Sequence, residues 1–328
     1  MAKAEQIKAL IKSHGSGDEE RFYSIALQVA ATAARQGHTR FARELRDLID
    51  QVRSRKAGHH GEDANSLPPP SLPRELTGLV RADRPRVRLS EMVLEPRTRE
   101  RLQGVLHEQR QRVRLHQHGL SPARKLLLVG QPGTGKTMTA SVLACELEIP
   151  LLSIQLDGLI TKFLGETAAK LRLIFDGVQK SRGVYLFDEF DSLGSERSNR
   201  NEVGEIRRVL NSFLQFLEQD VGDSLVIAAT NHPDLLDKAL FRRFDNLITF
   251  ELPSPGIIED IVKNRLCLFE TGELEWSRIK KSAVGLSHGD IAQACDQALK
   301  QTILNDSDQV DTAIIISALE DRTEIGIR

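Results

Sequence analysis

The eight residues Gly130-Gln131-Pro132-Gly133-Thr134-Gly135-Lys136-Thr137 constrain this chain more than any other stretch. They follow the spacing G-x-x-x-x-G-K-T, in which a glycine-rich loop turns backbone N–H groups inward on phosphates. The flanks supply the context such a loop needs. Lys125-Leu126-Leu127-Leu128-Val129 is a short apolar run that reads as a buried strand. Met138-Thr139-Ala140-Ser141-Val142-Leu143-Ala144 has helical spacing and no breaker. Strand, loop and helix in that order set the positive end of a helix dipole beside the phosphates. Lys136 is expected to reach the β and γ phosphates of a nucleoside triphosphate and the Thr137 hydroxyl to ligate Mg²⁺. Met138, the next residue, is grouped with these nucleotide-binding positions.

The rest of the chain fits around this unit. Between 125 and 251, apolar runs at 125–129, 150–156, 184–188, 225–230 and 247–251 alternate with helical patterns. Such alternation implies a parallel sheet flanked by helices. After Pro253 and Pro255 the pattern is helical only, around 256–270, 275–284, 288–305 and 309–320. Residues 2–53 carry three short amphipathic patterns, and Pro68-Pro69-Pro70 closes a linker. A helix at roughly 96–115 bears Leu102, Val105, Leu106, Val113 and Leu115 within an arginine-rich stretch. Acidic residues are interleaved there, so it reads as a solvated face or a subunit contact. The expected organisation is an N-terminal helical interaction domain (1–53), a linker (54–75), an α/β nucleotide-binding domain (76–253) and a helical lid (254–328).

Three further sites carry chemistry. Val184-Tyr185-Leu186-Phe187-Asp188-Glu189 is an apolar strand delivering two adjacent carboxylates at its end. Side chains alternate along a strand, so the two acids are expected to aim apart, Asp188 toward Mg²⁺ and Glu189 toward the attacking water. Val226-Ile227-Ala228-Ala229-Thr230-Asn231 is a buried run with a polar end. Asn231 either hydrogen-bonds the water or γ-phosphate, or caps a turn before Pro233. Arg242-Arg243 either stabilise charge on the transferring phosphoryl group or form a surface pair bound to acids.

Together these residues resemble the AAA+ ATPases from about 86 to 300. Gly130 to Thr137 resembles Walker A, Asp188-Glu189 Walker B and Asn231 sensor 1. Arg242 and Arg243 match the paired arginine fingers that the family directs at a neighbouring subunit's nucleotide. Gly285-Leu286-Ser287-His288-Gly289-Asp290-Ile291 resembles the small-domain signature that lies against the nucleotide, with His288-Gly289 in place of the commoner Gly-Ala. No sensor 2 arginine follows, which is similar to the AAA subgroup of katanin, spastin and the protease-associated unfoldase ATPases. Thr161-Lys162-Phe163-Leu164-Gly165-Glu166 resembles the first pore loop of those translocases, so Phe163, Leu164 and Gly165 are implied to grip a polypeptide. The resemblance implies ATP and Mg²⁺ as cofactors, a homo-oligomeric and commonly hexameric ring, and catalysis by Glu189 and Asn231 with Arg242 and Arg243 from the adjacent subunit.

Composition narrows the substrate. The net charge of −1 gives no global field for nucleic acid, and one Trp and two Tyr leave little aromatic surface for base stacking. Cys145, Cys267 and Cys295 share no metal spacing and suit a reducing compartment. No apolar run reaches the length of about 18 residues that a membrane span needs, and the first residues lack a signal-peptide layout. The expected protein is therefore cytoplasmic. It is expected to hydrolyse ATP and to remodel, unfold or thread protein substrates, feeding or regulating a separately encoded protease or effector recruited through residues 1–53. Two alternatives stand beside this reading. One is a nucleic-acid-handling AAA+ ATPase of helicase-loader or clamp-loader type, tracking phosphates with its arginine-rich 81–125 stretch. The other is a nucleotide-gated assembly switch.

Overall fold

Apolar runs of four to six residues form the central strands, and they are buried on both faces because helices cover the sheet from both sides. A computed structural model of the chain describes residues 78–159, 164–193, 200–235, 238–267, 269–271, 273–305 and 309–327. The expected N-terminal domain and linker lie outside these residues. The chain divides between Pro68 and Pro69, and every described residue belongs to the second unit.

In chain order the elements are β1 Val80–Asp83, α1 Pro96–Arg110, α2 Arg112–Gln117, β2 Lys125–Gly130, α3 Lys136–Glu146, β3 Leu151–Ile154, α4 Leu156–Leu159, α5 Leu164–Lys180, β4 Val184–Phe187, α6 Arg200–Gln219, β5 Leu225–Thr230, α7 Lys238–Phe241 and β6 Asn246–Phe250. The sheet order is β1-β3-β4-β5-β2-β6. Five strands are parallel, and β1 runs antiparallel to β3 at the edge. The parallel strands match the five expected runs to within two residues. β1 was not among them: it is short, carries Arg81 and Asp83, and buries little, as edge strands do.

Leu126, Leu128, Ile227 and Ala229 face one layer, with Leu102, Val105 and Leu106 of α1 and Val142 and Leu143 of α3. Leu127, Tyr185, Phe187 and Val226 face the other, under α5 and α6. There Phe213 contacts Phe187, Phe175 and Phe190 with ring centroids 5.0, 5.5 and 4.7 Å apart.

The single helix expected over 96–115 is two. α1 starts on Pro96, whose missing N–H costs nothing there. It ends at Gln111 (φ −94°, ψ 12°), and Val113 beyond the break is 65% exposed. Buried Gln109 donates to Ala123 O at 2.8 Å and ties the turn to the approach of β2. Three of the six arginines of this stretch are bonded within the chain. Arg99 donates to Leu89 O and Met92 O, Arg101 to Leu247 O, and Arg110 pairs with Glu146.

After β6 come α8 Pro255–Leu266, β7 Glu270–Thr271, α9 Trp276–Ser282, α10 His288–Leu304, β8 Gln309–Val310 and α11 Thr312–Ile327. These helices enclose a separate core of Ile258, Val262, Ile279, Ile291, Ala294, Ala298, Ile315 and Leu319. A two-residue parallel pair, β7 with β8, closes it. No helix among the described residues is long and apolar enough to cross a membrane.

Candidate functional site

β2 ends at Gly130 and the chain turns through 131–135 into α3. Gly133 (φ +74°) and Gly135 (φ +102°) hold left-handed conformations that glycine alone adopts without strain. At Gly133 there is also no room, since a Cβ would stand 2.3 Å from Ser287 Oγ. The Thr134 hydroxyl donates to Gln131 O at 2.8 Å and closes the loop on itself. Lys136 is 6% exposed, and its Nζ donates to Gly130 O (2.7 Å) and Gln131 O (2.8 Å). Burial lowers the pKa of this ammonium, while the Asp188 and Asp191 carboxylates oppose the shift.

Thr137 Oγ1 donates to Asp188 Oδ2 at 2.6 Å, joining the first turn of α3 to the end of β4. β4 stops at Phe187, so both acids lie in the following turn. Glu189 has φ +50° and donates its N–H to Asp188 Oδ1 at 2.9 Å. The two acids therefore sit in a turn with a left-handed Glu189 and not, as expected, at alternating positions along a strand. A non-glycine residue held there costs about 1–3 kcal/mol, strain of the kind that gathers at functional sites.

Asn231 follows β5 and is half-buried, and its backbone N–H donates to Asp191 Oδ1 at 3.2 Å. Asp191 is only 8% exposed. Asp191 is not among the site residues identified from the sequence. The signal that could have found it is an acid two residues past Glu189, directly after the fully buried Phe190.

Helix α10 meets the phosphate loop directly. Gly289 N donates to Gly133 O at 2.8 Å, and a Cβ at Gly289 would press on that oxygen at 3.3 Å. Ser287 and Asp290 form a capping box: Ser287 Oγ accepts from Asp290 N, and Ser287 N donates to the Asp290 carboxylate. Beside this contact opens a cleft with about 470 Å³ of free space, part of it open to solvent. Met92 and Leu94, Met138 of α3, Ile261 of α8 and His288 and Ala292 of α10 line it.

The structure therefore brings Gly130 to Met138, Asp188, His288 and Gly289 into one neighbourhood, with Glu189 beside Asp188 and Asn231 linked through Asp191. Arg242 and Arg243 make no hydrogen bond or ion pair with that neighbourhood among the described residues. Arg243 pairs with Glu218 of α6, whereas Arg242, just past α7, is exposed and makes no ion pair among the described residues. Phe163 lies outside the described residues, and Leu164 and Gly165 form the start of α5.

Residues 126–252 match the ATPase family associated with various cellular activities (AAA). An AAA family ATPase, y4kL, of Sinorhizobium fredii is 33% identical over 323 residues, 98% of this chain and 96% of that protein. The proteasome-activating nucleotidase of Methanothermobacter thermautotrophicus is 31% identical over 212 residues, 62% of this chain and 51% of its own length. The chain thus spans about half of that relative. Among solved structures, the AAA domain of FIGL-1 superposes with a TM-score of 0.60 at 23% identity, covering 76% of this chain and 89% of that one, a likeness of fold.

Proposed function

The chain belongs to the AAA family of ATPases, and on that premise we propose that it assembles as a ring, commonly of six subunits, in which ATP hydrolysis remodels or threads a protein substrate. The observation that carries the reading is the 2.6 Å bond between Thr137 Oγ1 and Asp188 Oδ2, with Glu189 held in a left-handed turn beside it. A hydroxyl and a carboxylate side by side suit Mg²⁺, which takes few protein oxygens and completes its shell with water and phosphate. Thr137 and Asp188 would hold the ion, which would supply charge neutralisation to the phosphates.

The chain's own groups do the rest. N–H groups of the 130–137 loop and Lys136 receive the phosphates, and the ammonium exchanges its two carbonyl partners for phosphate oxygens. Glu189 takes a proton from the attacking water, and Asn231 orients that water or the γ-phosphate. His288, Gly289 and Met138 close over the nucleoside. Arg242, exposed and without an ion pair among the described residues, reaches a neighbouring subunit's nucleotide, and Arg243, anchored on Glu218, supports it. Phe163, with Leu164 and Gly165, grips the polypeptide. Residues 1–53 recruit a substrate, or a separately encoded protease or effector, in the cytoplasm.

Two facts favour a protein substrate over nucleic acid. A relative is named for activating a proteasome. Arg99, Arg101, Arg110 and Arg124 of the arginine-rich stretch are bonded within the chain. The direct test is Glu189→Gln. Hydrolysis is expected to fall by about 10²–10⁴-fold with ATP affinity retained, and the ATP-loaded variant should capture substrate in a pull-down. Turnover at the wild-type rate would remove Glu189 from its role.

A further inference from the structure

A buried imidazole with nothing to bond is costly, because its nitrogens give up water and receive no partner in return. His288 is half-buried as a residue, yet both Nδ1 and Nε2 are buried and neither has a hydrogen-bond partner among the described residues. Burial lowers its pKa from the ordinary value, with Glu95 opposing, so at neutral pH the ring holds one N–H donor and one free acceptor nitrogen. The backbone fixes where the ring goes. The bond from Gly289 N to Gly133 O pins the first turn of α10 to the phosphate loop, and the His288 ring lines the adjoining cleft. Met92, Leu94, Ile261, Ala292 and a 40% exposed Met138 give the other walls an apolar character, and the charged Glu91 and Arg265 also stand on the lining. The side-chain amide of Asn264, also on the lining, is engaged by Glu91 O at 3.4 Å. A flat heteroaromatic ring entering this slot finds apolar contact from these walls and, in His288, an unspent donor and acceptor.

We infer that His288 is a specificity-determining residue that hydrogen-bonds the polar edge of the nucleobase, so that the lid reads the base while the loop reads the phosphates. This rests on the proposal that the cleft receives the nucleoside, and the experiment separates the two. Equilibrium affinities are measured by calorimetry for ATP and for ribose 5-triphosphate, which carries sugar and phosphates but no base. They are compared in the full chain, His288→Phe, His288→Asn and His288→Gln. Thermal melts without nucleotide establish folding, and His288→Ala serves as a second apolar variant if the Phe variant does not fold.

The full chain should bind ATP more tightly than ribose 5-triphosphate. The apolar variant should weaken ATP by about 10-fold, the value of one hydrogen bond, and leave ribose 5-triphosphate unchanged. His288→Asn or His288→Gln should recover most of the loss. Equal affinity of the full chain for both ligands would overturn the placement of the base in the cleft. A preference for ATP that survives intact in the apolar variant would overturn the role of His288 alone. So would equal weakening of both ligands, or recovery by neither amide variant.

Discussion

At the residue scale, Asp191 and His288 turn buried polarity into expectations. A carboxylate 8% exposed that accepts the Asn231 N–H ties the end of β5 to the turn after β4. Asp191→Ala should lower kcat by about 10–100-fold with KM for ATP little changed. Asp191→Asn, which keeps an acceptor, should restore most of it. In an Asn231→Ala background the Asp191→Ala change should add little, because groups acting as a unit are not additive. Full additivity in steady-state kinetics would mean that Asp191 does not work through Asn231. His288 sets a pH dependence. Its folded pKa lies below the unfolded value of about 6.5, so the unfolded chain binds the extra proton as acid is added. The stability of the neutral ring is complete above about pH 6.5 and is lost as pH falls through the folded value. Melting temperature should therefore drop on acidification below pH 6.5, and the drop should be smaller in His288→Phe.

At the scale of elements, the capping box of α10 fixes how the lid meets the loop. Ser287→Ala removes the hydroxyl that accepts from Asp290 N, a loss of about 1 kcal/mol. Differential scanning calorimetry should register it as a fall of about 2–4 °C, and an unchanged melting point would show that the cap carries no stability. What the sequence made legible divides along physical lines. Strands β2 to β5 were readable because burial on both faces leaves an unbroken apolar run. β1 was not, because an edge strand with Arg81 and Asp83 lacks that signature. The break at Gln111 has no proline or glycine to announce it. Of the site, the Gly130 to Thr137 loop and Asp188 were plain from spacing. The left-handed Glu189 was not, since periodicity carries no information on the handedness of a non-glycine turn. The burial of Asp191 depends on a partner forty residues away in the chain.

At the scale of the whole molecule, the separation of Arg242 from the phosphate loop matters most. The proposed service of Arg242 to a neighbour predicts that two defective chains repair one another. Mixtures of Arg242→Ala with Lys136→Ala chains should recover part of the ATPase activity that neither has alone. An activity no greater than the sum of the parts at every ratio would argue that each subunit works by itself. The contact between Gly289 and Gly133 carries a last consequence. It is one of the junctions, with Asn264 on Glu91 O, through which the lid and the nucleotide pocket are thermodynamically linked. Binding linkage is reciprocal: if nucleotide biases the lid toward one orientation, then any partner that holds the lid in that orientation must tighten nucleotide by the same factor. Under the proposed remodelling function, a load on the helical unit would then change nucleotide residence, so that hydrolysis would respond to resistance.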